Sequence, residues 1–166
     1  MIKIPEKEGR LSAAKAAHIE AVIAFVKRKT EGYRRDLFAN ISRVMLVSGT
    51  FEDMSARDGW SWLSDFILAD VKTLKQMIGR PELLQFDEFK RMYSDYFSAG
   101  SDKYVDASTK YNAYMFIENL GVTICPYCDE EYLDVVENGN GGKLRTLEID
   151  HFFPKGKYPA LAMCFY

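Results

Sequence analysis

Hydrophobic periodicity changes at Gly121, and the change divides the chain into two kinds of structure. Before it, apolar residues recur at three- and four-residue steps. Ala16, Ile19, Val22, Ile23 and Val26 predict an amphipathic helix from Ser12 to Lys29, with Ser12 as its N-cap. Tyr33, Leu37, Ile41 and Val44 carry a second helix up to the stop at Ser48-Gly49. Trp60, Leu63, Ile67, Val71, Leu74 and Ile78 keep the period until Gly79-Arg80-Pro81 ends it. Two further helices run from Phe86 to Phe97 and from Ala107 to Leu120. After Gly121 the pattern becomes β-prone: Val122 to Cys128 turns sharply, and Leu133-Asp134-Val135-Val136 reads as a strand. Asn138-Gly139-Asn140-Gly141-Gly142 is a hairpin-type turn, and Leu144 to Ile149 alternates as the return strand. The expected fold is mainly α, with a helical domain over 1–120 and a small β-containing module over 121–166.

Composition narrows the function classes. At 48% hydrophobic and 28% charged, the chain is globular, not disordered or collagen-like. Its apolar runs, such as Ala21 to Val26, are far short of the roughly 18 residues that cross a bilayer. The start, Met1 to Glu6, has no apolar signal-peptide core, so a cytoplasmic location is expected, with no membrane partner. A net charge of −2 argues against nucleic-acid binding by bulk charge. The charge is uneven: +5 over residues 1–50, −4 over 51–120 and −3 over 121–166. The basic run Lys27-Arg28-Lys29, followed by Arg34-Arg35, is either a solvated helix face or a phosphate-facing patch. Trp60, Trp62, Phe66, Tyr93, Tyr96 and Phe97 stand at helical spacing and are read as core, a partner-docking surface being the other reading. Tyr111, Tyr114 and Phe116 are expected to pack the hairpin onto the helices, and His18 is expected to be structural or exposed.

Two constellations carry possible chemistry. Cys125-Pro126-Tyr127-Cys128 places two thiolates on a tight turn, half of a tetrahedral zinc site. Two buried thiols or a redox pair are the alternatives; a redox pair wants the start of a helix in a βαβ unit, and a hairpin follows here. The second is Glu148-Ile149-Asp150-His151 at the end of the return strand. Adjacent Asp and His project in different directions, so one can bind a hard cation while the other works on a water. Glu148, two residues back on the strand, returns to the face of Asp150. A surface Asp-His pair at a strand end is the other reading.

Taken together, a Cys-x-x-Cys turn, a strand, a Gly-rich turn, a strand and then Asp-His resemble the HNH, or His-Me finger (ββα-metal), endonucleases. Cys125-Pro126-Tyr127-Cys128 and the run from Glu148 to Leu161 are similar to the HNH proteins encoded beside an ATPase in Septu-type and retron-linked anti-phage defence systems. The resemblance covers 121–166. It implies a ββα-metal module and a DNA endonuclease in which His151 is the general base and Asp150 binds the catalytic Mg²⁺ (or Mn²⁺). Glu148 sits in or beside that metal shell. Cys125 and Cys128 become half of a structural Zn²⁺ site, Lys155 and Lys157 follow the catalytic strand toward phosphates or are ordinary surface lysines, and an ATPase subunit is the expected partner.

The pattern also departs from that family, in which an Asn and a second Cys-x-x-Cys follow. The expectation is a module truncated before its closing helix, with Cys164 at what the resemblance makes a small core position, a replacement zinc ligand being the other reading. A structural zinc supplies on the order of 10 kcal/mol in small metal-dependent folds. On that ground 121–166 is expected to be loosely folded beside an ordered helical unit, and an inert assembly module for the ATPase is the competing function.

Overall fold

A buried stripe on one long helix organises the rest of the chain. The computed structural model describes residues 9–30, 61–78, 87–100, 102–124, 135–137, 139–140, 143–145, 149, 151 and 153–165. Helix α1 spans Arg10–Thr30, and Ala14, His18, Ala21, Val22, Phe25 and Val26 form its inward face. It starts two residues earlier than the Ser12 cap predicts. Gly9, at φ 76°, breaks the incoming chain and its carbonyl takes the amide of Ala13, while Arg10 and Leu11 are good helix formers. Ser12 is therefore an exposed residue inside the helix. The helix expected over Tyr33 to Val44 lies outside the described residues.

The single helix expected from Trp60 to Ile78 is two helices, α2 (Ser61–Ile67) and α3 (Val71–Met77). Periodicity misses the break because Leu63, Phe66, Ile67, Leu74 and Met77 are all buried on both sides of it. Asp70 makes the break: it is extended (ψ 164°) and its carboxylate accepts from the amide of Thr73 at 2.7 Å. Helix α4 (Glu88–Met92) runs into a π-helical turn, Tyr93–Phe97, closed by the amide of Ser98 on the carbonyl of Tyr93 at 2.7 Å. Helix α5 (Ala113–Leu120) begins six residues later than predicted. Asp106 draws Ser108 and Thr109 into a hydrogen-bonded turn, and Asn112 caps the helix through Tyr114 and Met115 while donating to the carbonyls of Gly100 and Lys103. Gly121 ends α5 as expected, at φ 62° with its amide on Ile117 and Glu118.

Strands β1 (Val135–Glu137) and β2 (Lys143–Arg145) pair antiparallel across the Gly-rich turn, with Val136 opposite Leu144. Helix α5 touches β1. The protein is mainly helical, and among the described residues no helix is long and apolar enough to cross a membrane.

The core does not stop at 120. Phe153 and Ala160 to Met163 bury with Val22, Phe66, Met92 and Phe116 in one cluster. The 3₁₀ turn Pro159–Leu161 sits against α4, and the amide of Phe165 donates to the carbonyl of Ile67 on α2 at 2.8 Å. Segment 153–165 is thus held by burial, at about 1.5–3 kcal/mol for each large apolar side chain, where the sequence predicts a loosely folded stretch.

Leu161→Ala is expected to cost about 2–5 kcal/mol in urea denaturation. The loss should appear in the same transition that melts the helices, because the two share one core. A separate early transition for the end segment, with the helical transition unmoved, would refute this.

Candidate active site

The end of the chain turns back on itself before it enters the core, and this turn places His151. The amides of Lys157 and Tyr158 both donate to the carbonyl of Pro154, closing a turn that returns 159–163 beneath residue 151. His151 is half-buried, and its Nε2 lies 3.1 Å from the carbonyl oxygen of Ala162. A carbonyl can only accept, so Nε2 carries the proton, and in the neutral ring the lone pair is on Nδ1. That is the form in which an imidazole can take a proton from a water.

Tyr93, the first residue of the π-helical turn, holds this arrangement from the helical side. Its ring meets that of His151 edge to face, with centroids 4.5 Å apart. The ammonium of Lys155 stands 4.2 Å from the same ring centroid, a cation–π contact. The Tyr93 hydroxyl reaches the carbonyl of Ile149 at 3.4 Å, a long hydrogen bond. One buried aromatic therefore touches three points of the segment from 149 to 155. Periodicity marked Tyr93 only as core; a π-helical turn has no simple residue pattern that would have shown its second role.

The structure gathers part of the expected site. His151 and Lys155 come together on Tyr93. Lys157 is exposed and stands over Tyr158 at 5.4 Å, so it does not share that platform. Asp150, Glu148, Cys125 and Cys128 lie outside the described residues. Among the described residues, no group of three or more His, Cys, Asp or Glu stands close enough to hold a metal ion. Cys164 donates its thiol to the carbonyl of Phe66 at 3.6 Å, and burial pushes the thiol well above its usual range, so it is held as a protonated core group. In the basic run, the guanidinium of Arg28 donates to the carbonyl of Val105 and lies over the ring of Phe25, which makes it a packing residue as well as a charge.

Behind His151 is a cavity of about 50 Å³ lined by Tyr93, Ile149, His151, Cys164, Phe165 and His18. His18 is only 4% exposed, on the inward stripe of α1. Its Nε2 donates to the carbonyl of Met163 at 2.8 Å, so its Nδ1 accepts the hydroxyl proton of Tyr111 at 2.9 Å. Phe97, Phe116 and Phe165 surround the ring. Burial lowers the His18 pKa to about 4, against a smaller raising effect of the Met163 carbonyl, so the ring is neutral near pH 7. Burial also pushes the Tyr111 hydroxyl up, which keeps it a donor. The sequence-based reading of His18 as structural fits this geometry; its long-range partners were not legible.

No family model, curated protein or solved structure matches the chain.

His18 gives stability a defined pH dependence. Its unfolded form takes up a proton near pH 6.5 and its folded form only near pH 4. Between those values the unfolded state binds more protons, so stability falls as pH falls, by about 3 kcal/mol across the window. Urea midpoints at both ends of the window should show this loss, and His18→Gln should flatten it. An unchanged slope in the variant would sink the assignment.

Proposed function

We propose that this chain is the nuclease component of a bacterial anti-phage defence complex, a metal-dependent HNH-type endonuclease that hydrolyses DNA phosphodiesters. The observation that carries the reading is the bond from His151 Nε2 to the Ala162 carbonyl, which fits the tautomer with its proton on Nε2, together with Lys155 on the same Tyr93 ring. The Cys125/Cys128 turn, the paired strands and the Asp150-His151 order supply the rest of the argument, together with the resemblance they carry. In this reading 121–166 is a ββα-metal module for which Cys125 and Cys128 supply half of a structural Zn²⁺ site.

His151 Nδ1 takes a proton from a water as the water's oxygen attacks phosphorus in line with the leaving oxygen. The bond from phosphorus to that oxygen breaks, and the oxygen departs with the electron pair. Nε2 keeps its proton and goes on donating it to the Ala162 carbonyl throughout, so the imidazolium that forms is stabilised by a fixed dipole. Lys155, lifted off its Tyr93 platform or reaching from it, pairs as a point charge with a non-bridging phosphate oxygen. Asp150 and Glu148 are hard-oxygen donors of the type Mg²⁺ or Mn²⁺ takes, and the chemistry such an ion supplies is stabilisation of the charge on the pentavalent phosphorus oxygens and the leaving oxygen. With a net charge of −2, the chain leaves most of the DNA grip to a partner subunit, for which the ATPase of such systems is our candidate.

Nicking of supercoiled plasmid with Mg²⁺ or Mn²⁺ tests the reading. His151→Ala should lower the rate by about 10²–10⁴-fold, and Lys155→Ala should act mainly on KM. Wild-type cleavage that survives His151→Ala, or no cleavage by the wild-type chain with or without the ATPase, would overturn it.

A further inference from the structure

Consecutive carbonyls hold the two histidines of the molecule. Ala162 accepts from His151 Nε2 at 3.1 Å, and Met163 accepts from His18 Nε2 at 2.8 Å. These are the two histidines in the sequence; they lie 133 residues apart and both line one cavity. Met163 is 2% exposed, so its carbonyl needs a partner inside the protein, and His18 provides one. His18 is itself immobilised: it sits mid-helix on α1, is boxed by Phe97, Phe116 and Phe165, and has its other nitrogen satisfied by Tyr111.

We propose that His18 is a positioning residue for His151: by fixing the Met163 carbonyl it sets the orientation of the adjoining Ala162 peptide, and thereby the ring orientation and tautomer of His151. The chain of cause runs Tyr111 hydroxyl, His18 ring, Met163 carbonyl, Ala162 carbonyl, His151 ring. Around it the backbone is tied at Cys164 to Leu161 and at Phe165 to Ile67, so the segment is anchored downstream and His18 governs the step nearest residue 151. Without the His18 donor the Met163 carbonyl is buried unsatisfied beside a cavity, and rotation of the 162–164 peptides is its route to a new partner. The catalytic consequence rests on the function proposed above; the effect on the His151 tautomer does not.

Side-chain amides separate the two arms of His18. Gln places its amide near the position of Nε2 and can still donate to Met163. Asn reaches only as far as Nδ1 and keeps the Tyr111 arm alone. A two-bond ¹H–¹⁵N correlation spectrum on the full chain, at about pH 8.5 where unperturbed imidazole is neutral, reports the proton position on His151 directly. In the wild type and in His18→Gln, His151 should show the proton on Nε2. In His18→Asn it should show a mixture, and plasmid nicking should fall about tenfold in kcat with KM unchanged.

A folded His18→Asn protein with the wild-type His151 spectrum would overturn the proposal. Where His18→Asn does not fold, His18→Gln decides: a retained His151 tautomer supports the inference, and a lost one overturns it. If no variant or wild-type chain cleaves DNA, the nuclease reading fails while the spectra still test the positioning.

Discussion

A buried hydrogen-bond chain from Tyr111 through His18 to the Met163 carbonyl joins the first helix, the start of the last helix and the end of the sequence. Each member is almost fully buried, so none can exchange its partner for water. Burying an imidazole without both partners costs more than the bonds return, which makes the arrangement specific: α1, Tyr111 and residue 163 have to arrive together. Once they do, 153–165 is committed to the core and residue 151 is carried to the mouth of the cavity.

The helical character of the described residues before Gly121 was legible because burial repeats at the helical period, as Val22, Leu63, Leu74 and Phe116 show. The boundaries were not. Asp70 and Asn112 start helices with their side chains, at positions where the apolar pattern alone continues or begins too early. Gly121 was legible as a stop because the left-handed conformation it adopts is one few other residues accept. The hairpin pair was legible from the alternation on either side of a Gly/Asn turn.

Of the candidate site, His151 and Lys155 were legible as residue types in order, and the structure brings both to one ring. What sets their geometry was not, because it is built from long-range contacts. Tyr93 and Ile149 are 56 residues apart, and His18 and Met163 are 145 apart. Backbone carbonyls have no sequence identity at all, yet two of them hold the two histidines. The π-helical turn is the other hidden element: it buries Tyr93 and Phe97, and no residue pattern in the sequence announces it.

The change of pattern at Gly121 therefore marks a change in local structure and not a break in the core. The described residues of 149–155 take their geometry with help from outside that segment. Tyr93 from the π-helical turn braces one side of His151, and α1, through His18, braces the carbonyls beneath it. The residues that resemble a nuclease motif occupy the last 46 positions, but the groups that orient the described part of that motif are spread across the helices. Cutting the chain at 120 would remove His151 together with Phe153, Leu161 and Met163 from the core that Val22 and Phe66 share with them. It would also leave His18 a buried ring with one arm unsatisfied. The physical unit of the site is thus the helices and the end segment together.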